Sequence, residues 1–92
     1  MDENELVSIV MPIKNAKYPF EKAIRSALSQ TFNNVQILII DGTSENKIKN
    51  IIDKEFSSSE KITYIKAISN NKSFLRNEGI RHSKGKYISF LD

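Results

Sequence analysis

The sequence predicts an α/β fold: a mainly parallel sheet of four strands with helices on both faces. Two observations support this prediction. Four short apolar segments with the composition of buried strands alternate along the chain with three segments in which apolar residues recur at helical spacing. Strands that alternate with helices pair in parallel through right-handed crossovers. We therefore predict one sheet with the strand order 3-2-1-4.

The first strand and the first helix are predicted near the N-terminus. Residues 6–11 are nearly all apolar, as expected for a strand that is covered on both faces of a sheet. Pro12 has no backbone N–H to donate, so the strand is expected to end there. Over residues 19–28 the apolar residues form one stripe of a helix, and Pro19 suits its first turn.

The second strand and helix follow the same pattern. Residues 35–40 form another apolar strand, which ends at Asp41 and Gly42. Thr43 and Ser44 are residue types favoured at helix N-caps, so the helix is expected to start directly after them. The apolar stripe of this helix consists of Ile48, Ile51, Ile52 and Phe56.

The last third of the chain adds two strands and a helix. A strand is predicted around residues 62–65, and its more polar composition places it near an edge of the sheet. Asn71 precedes a helix predicted over residues 72–82, in which Gly79 is expected to let the helix approach the sheet closely. Residues 87–91 form the fourth strand.

Composition limits the classes of protein to consider. At 92 residues the chain is one small domain at most, and its net charge of +3 is too weak to indicate nucleic acid binding. The absence of cysteine excludes disulfides and fits a reducing compartment. No apolar run approaches the roughly 20 residues of a membrane span. We therefore expect a cytoplasmic protein, with the inner face of a membrane as the alternative for a longer protein.

Polar residues stand where the predicted strands end, at the edge where open α/β sheets bind ligands. Asp41 and Asp92 end two strands, Pro12 and Asn15 follow the first, and Arg76 lies near the start of the third helix. Carboxylates can bind ribose, a base N–H or a divalent metal, and arginine can bind phosphate. A structural role as a cap or turn residue is the alternative for each aspartate. We expect Asp41 and Arg76 to face one crevice.

Five motifs in this order resemble the N-terminal half of the family 2 glycosyltransferases. They are residues 7–15 (VSIVMPIKN), 26–32 (SALSQTF), 39–44 (IIDGTS), 75–79 (LRNEG) and 85–92 (GKYISFLD). Each motif alone is a weak signal. All five at the family's spacing, over essentially the whole of residues 1–92, form a strong one.

This resemblance implies a GT-A fold, which is a Rossmann-like sheet, and a reaction that moves a sugar from a nucleotide-diphosphate donor to an acceptor hydroxyl, usually with inversion. A UDP-sugar is the expected donor and a sugar or glycan the expected acceptor. Pro12 and Asn15 are expected beside the base. Asp41 or its neighbour is expected to bind the base, and Arg76 is expected by the nucleotide or its phosphates. Asp92 is expected to be the first carboxylate of a DxD motif that binds Mg²⁺ or Mn²⁺.

The same resemblance implies that the general base lies beyond the chain, so residues 1–92 are expected to bind the donor without transferring sugar. In a longer protein, Asp41→Asn is expected to impair nucleoside recognition at little cost to folding. An uncovered flank of the fourth strand is expected to favour self-association.

Two residues depart from the family pattern and leave alternatives open. Lys14 stands where the family usually has a tyrosine that stacks on uracil, and Gly42 replaces the second residue of an Asp-Asp pair. Both would suit a non-catalytic Rossmann-like interaction domain. A sugar nucleotidyltransferase is the other alternative, although such enzymes have a glycine-rich segment after the first strand and this chain has none there.

Overall fold

A computed structural model describes residues 5–29 and 34–91 of the chain. Strands and helices alternate through these residues as the sequence predicts. In chain order the elements are β1 (Val7–Ile13), α1 (Phe20–Leu28), β2 (Val35–Asp41), α2 (Lys47–Glu55), β3 (Ile62–Lys66), α3 (Lys72–His82) and β4 (Tyr87–Phe90). Within the described ranges, no helix is both long and apolar enough to cross a membrane.

The four strands form one parallel sheet in the order β3-β2-β1-β4. The predicted order is therefore confirmed. β1 lies at the centre, where Val7 is in register with Val35 on one side and with Tyr87 on the other. β3 is an edge strand, as its polar composition predicts. β4 is the opposite edge strand, and Tyr87 and Ile88 are each 40% exposed there.

Helices cover both faces of the sheet, because successive side chains of a strand point to opposite faces. On one face, α1 and α2 pack on the β1 and β2 residues with odd numbers. That cluster includes Ile9, Met11, Phe20, Ile24, Ile37, Ile39, Ile48 and Ile52. On the other face, α3 contributes Leu75 to a smaller cluster with Val10, Leu38 and Ile40. The prediction of helices on both faces is confirmed.

Two residues set how α3 begins and how closely it packs. The Asn71 side chain accepts a hydrogen bond from the Phe74 amide at 3.1 Å, which caps the helix. A Cβ atom on Gly79 would overlap the side chain of Val10 in β1. The missing side chain therefore brings α3 against the centre of the sheet, as the sequence predicts.

The prediction that Pro12 ends the first strand is wrong. β1 continues to Ile13, and Pro12 is in register with Ile40 of β2. The Val7 amide donates towards β2, so the amides of alternate residues, Pro12 included, face β4. The register between β1 and β4 ends at Val10. Within residues 5–29 and 34–91, the donor that proline lacks therefore falls beyond the paired part of β4.

The predicted caps of the second helix are also wrong. Asn46, rather than Thr43 or Ser44, is the N-cap residue of α2, and its side chain makes no capping hydrogen bond. The Thr43 hydroxyl instead donates to Asp41 at 2.7 Å. The helix starts later because this threonine is used by the loop after β2.

Hydrogen bonds to the side chains of Ser8 and Gln36 connect the turn before β4 to the two central strands. The Ser8 hydroxyl donates to the Gln36 side-chain oxygen at 2.8 Å and accepts from the Gly85 amide at 2.8 Å. The Lys84 amide donates to the same oxygen of Gln36 at 3.1 Å. These contacts fix where β4 starts alongside β1.

Candidate functional site

A crevice of about 890 Å³ opens at the carboxyl edge of the sheet. Its walls are the loops after three strands, residues 14–17, 42–45 and 66–70, together with Lys47 at the start of α2. A smaller cavity of about 220 Å³ lies next to it, and Lys14 and Asn15 line both. This is the edge at which the sequence predicts ligand binding.

The crevice is strongly basic. Its lining includes Lys14, Lys17, Lys47 and Lys66, and Glu45 is the single acidic residue among the described residues that line it. The whole chain has a formal net charge of only +3, so much of its excess positive charge lies here. Ammonium groups bind phosphate oxygens through charge-assisted hydrogen bonds. The crevice therefore suits an anionic ligand better than a neutral one.

Asp41 is buried behind the crevice wall rather than exposed in it. Its side chain is fully buried, and one carboxylate oxygen accepts hydrogen bonds from the Thr43 amide at 2.8 Å and the Thr43 hydroxyl at 2.7 Å. The other oxygen accepts from the Tyr64 hydroxyl at 2.5 Å, and the Lys66 ammonium lies 3.4 Å away. In this arrangement the carboxylate holds the loop at residues 42–45, which forms one wall of the crevice.

Tyr64 and Lys66 are site residues that the sequence analysis missed. In β3 they lie opposite Ile39 and Asp41, and their alternate positions place both on one face. Lys66 also donates to the backbone carbonyl of Glu45 at 2.7 Å, so it joins the loop to β3. The sequence does show two polar residues at alternate positions of an edge strand. Which residue they contact depends on the strand register, which the sequence does not show.

Tyr64 should make the stability of the fold depend on alkaline pH. Burial raises the pKa of its phenol well above the ordinary value, and the hydrogen bond to Asp41 adds to this effect. Because the folded pKa is the higher one, this contribution is complete below the unfolded pKa of about 10 and is lost as the pH rises above it. Tyr64→Phe should therefore lose less stability than the wild type between about pH 9 and about pH 11.

The measurement is the midpoint of urea unfolding across that pH range. Tyr18→Phe is the control, because it removes the hydroxyl of a tyrosine that lines the smaller cavity and does not contact Asp41. An equal loss of stability in the wild type and in Tyr64→Phe would show that the phenol does not titrate with folding.

The structure does not bring Arg76 and Asp41 together. The Arg76 guanidinium stacks on the Phe90 ring of β4, with 3.9 Å between its central carbon and the ring centroid. Asp41 is in register with Lys66 of β3, which is the edge strand opposite β4. Neither residue lines the crevice or the smaller cavity. Their expected convergence is not seen, because the Arg76 side chain turns towards β4, and their roles in donor binding stay predictions.

The other predicted site residues divide into two groups. Pro12 lines the smaller cavity, and Asn15 lines both cavities, so the structure does bring these two together. The Asn15 side chain accepts a hydrogen bond from the Lys17 amide at 2.9 Å, which holds the loop after β1 in place. Asp92 lies outside the described residues, as do residues 30–33 of the second motif.

A metal-binding role also stays a prediction. In residues 5–29 and 34–91, no three His, Cys, Asp or Glu side chains lie close enough to hold a metal ion. Asp41, the one carboxylate buried at this edge, already accepts hydrogen bonds from Thr43 and Tyr64. The predicted ligand of Mg²⁺ or Mn²⁺ is Asp92, which lies outside the described residues.

Comparison with known protein families identifies the chain. The family model described as glycosyl transferase family 2 matches residues 8–92. The chain belongs to this family. The interpretation of the five motifs is thereby confirmed, and the parallel order β3-β2-β1-β4 is consistent with the GT-A fold of a family 2 glycosyltransferase. The sugar nucleotidyltransferase alternative is set aside.

Curated relatives support the same family. The minor teichoic acid biosynthesis protein GgaB of Bacillus subtilis (strain 168) is 36% identical over 89 residues, which cover 92% of this chain and 10% of the relative. An uncharacterized glycosyltransferase of Haemophilus influenzae is 34% identical over 91 residues, which cover 95% of this chain and 35% of the relative. The UDP-Glc:alpha-D-GlcNAc-diphosphoundecaprenol beta-1,3-glucosyltransferase WfaP of Escherichia coli is 38% identical over 92 residues, which cover 96% of this chain and 35% of the relative. The chain thus spans between 10% and 35% of these relatives.

Proposed function

We propose that this chain forms the nucleotide-sugar-binding part of a glycosyltransferase. The observation that supports the proposal is the basic crevice at the carboxyl edge of a sheet that belongs to this family. A nucleoside diphosphate supplies the negative charge that such a crevice favours, and its base and ribose fill the remaining volume. The whole protein would transfer a sugar from this donor to a hydroxyl group of a sugar or glycan.

The donor that we propose is a UDP-sugar, and the process is polysaccharide biosynthesis. One relative is named for its use of UDP-Glc and another for teichoic acid biosynthesis, which supports both choices. Four points stay predictions. The reaction inverts the configuration at the sugar, and Asp92 holds Mg²⁺ or Mn²⁺. The protein is cytoplasmic, at the inner face of a membrane, and residues 1–92 alone are inactive.

The crevice has a direct chemical role in this proposal. When an acceptor hydroxyl displaces the nucleoside diphosphate, negative charge develops on the leaving diphosphate. Fixed positive groups aimed at that charge stabilise the transition state more than the ground state. The lysines of the crevice would supply part of this stabilisation. No described residue is assigned as the base that removes the acceptor proton.

The proposal predicts where ligands bind. In a titration of the isotope-labelled chain with UDP-glucose, backbone amide signals of residues 14–17, 42–45 and 66–70 should shift, because these loops form the crevice. Glucose alone should shift none of them, since it carries no charge. Shifts confined to α3 and the outer side of β3, or no shifts at all, would contradict nucleotide-sugar binding and favour the non-catalytic alternative.

A matched pair of variants on α2 tests the charge. Lys47 and Lys54 are both exposed lysines of this helix, and only Lys47 lines the crevice. Lys47→Gln should weaken UDP-glucose binding by about threefold to tenfold, because it removes one charged partner of the phosphates. Lys54→Gln should leave the affinity unchanged. Equal affinities of the two variants would mean that the ligand does not lie in the crevice.

A further inference from the structure

Ile68 is the most exposed large apolar residue in the described part of the chain, at 93%. It lies in the loop between β3 and α3, and this loop is held on both sides of it. Before Ile68, the Ala67 amide donates to the Asp41 carbonyl at 2.8 Å. After it, the Asn71 amide donates to the Ser69 hydroxyl at 3.0 Å. The backbone therefore holds an apolar side chain out in the solvent, where its exposure is unfavourable.

A groove of about 270 Å³ lies between β3 and α3 and reaches Ile68. Its apolar floor consists of residues that are half-buried against the cluster around Leu75: Ile65, Ala67 and Phe74. At its rim, Glu78 and Arg81 pair with each other at 3.0 Å. Ala67 and Ile68 line both this groove and the crevice. Ile68 thus lies on the ridge between the two, and a partner that contacts the ridge from the side of the groove leaves the crevice open.

Positive charge is concentrated at the same edge as Ile68. Five lysines line the crevice or the smaller cavity: Lys14, Lys17, Lys47, Lys66 and Lys72. Glu45 is the acidic residue among the described residues that line these two cavities. This excess of lysine is larger than the net charge of +3 of the whole chain. The rest of the protein therefore carries no net positive charge, and the carboxyl edge is the side that an anionic surface attracts.

We propose that the carboxyl edge docks on an anionic lipid bilayer, with the Ile68 side chain inserted between the lipids. The apolar side chain and the lysines act together, because burial of apolar area and attraction to anionic lipids both strengthen binding to a membrane surface. The attraction acts over a Debye length of about 10 Å, so the lysines need not leave the crevice. A protein partner fits this edge less well, since lysine is depleted in protein–protein interfaces. This inference goes beyond the proposed function and does not depend on which ligand the crevice binds.

Fluorescence and sedimentation with lipid vesicles test this proposal. The chain has no tryptophan, so Ile68→Trp introduces a single reporter. Its emission should shift to shorter wavelength with vesicles of phosphatidylcholine that contain about 30% phosphatidylglycerol, and should not shift with phosphatidylcholine alone. In sedimentation with the anionic vesicles, Ile68→Ser should weaken binding about tenfold and Lys17→Gln about fivefold. Raising NaCl from about 0.05 M to about 0.5 M should release the wild type from the vesicles.

Ile80→Trp and Lys54→Gln are the controls. Ile80 is 48% exposed on α3 and lines neither the groove nor the crevice, so its tryptophan should show no shift. Lys54 is an exposed lysine outside the cavities, and its loss should change vesicle binding by less than about twofold. Equal vesicle binding by Ile68→Ser and the wild type, or equal shifts of the two tryptophans, would overturn the inference. A shift of the Ile68→Trp emission with protein concentration and without vesicles would also overturn it, because a second copy would then cover Ile68.

Discussion

Gly79→Ala is expected to lower the free energy of unfolding by about 1–3 kcal/mol, although alanine is the better helix former. The added methyl group would overlap the Val10 side chain, and Val10 lies fully buried in the central strand. Either α3 moves away from the sheet or β1 is displaced, and both disturb the cluster around Leu75. Urea unfolding followed by circular dichroism measures the loss.

Two further variants separate the clash from helix propensity. Asn77→Ala changes an exposed position of the same helix and should be neutral or slightly stabilising, because it tests propensity alone. Val10→Ala makes room for the methyl group, so the double variant should be less destabilised than the sum of the two single variants. Additive losses would show that Gly79 and Val10 do not compete for one space.

Asp41→Asn is expected to cost about 2–4 kcal/mol of folding free energy. Among the described residues, the hydrogen-bond partners of this buried carboxylate are all donors: the Thr43 amide and hydroxyl, the Tyr64 hydroxyl and the Lys66 ammonium. An asparagine amide would turn two further N–H groups towards them. This prediction replaces the sequence-based expectation that the substitution costs little, which assumed that the carboxylate faces a ligand.

Asp53→Asn provides the comparison. Asp53 is 62% exposed in an ion pair with Lys49 on the surface of α2, so its loss should change stability by no more than about 0.5 kcal/mol. The loop at residues 42–45 should also lose its ordered amide signals in Asp41→Asn and keep them in Asp53→Asn. Equal stabilities for the two variants would rule out a structural role for Asp41.

The fold could be predicted because its pattern is local. Alternating apolar segments fix the elements, and the crossover rules then leave few arrangements of the sheet. Gly79 was interpretable for the same reason, since a missing side chain in a helix indicates close packing. Pro12 was misjudged because the cost of a missing amide depends on which neighbouring strand that amide faces. That information lies in the register and in the length of β4.

The candidate site was harder to predict because its side chains come from distant segments. The sequence places Asp41 at a strand end, but only the register of β3 on β2 brings Tyr64 and Lys66 to it. Likewise, a helical position for Arg76 does not reveal that its side chain lies on Phe90. What the sequence could predict was the edge of the sheet at which the cavities open.

Of the four strands described in this sheet, β1 is synthesised first and its partner β4 is synthesised last. β1 can pair with β2 once residue 41 has left the ribosome, whereas its other side has no partner until β4 is made. The hydrogen bond from Gly85 to Ser8 joins residues 77 positions apart. Through that interval the open side of β1 presents its backbone N–H and C=O groups to any neighbouring chain. Along this side of β1 the nascent chain is therefore exposed to wrong strand pairing after β2 has formed and before β4 arrives.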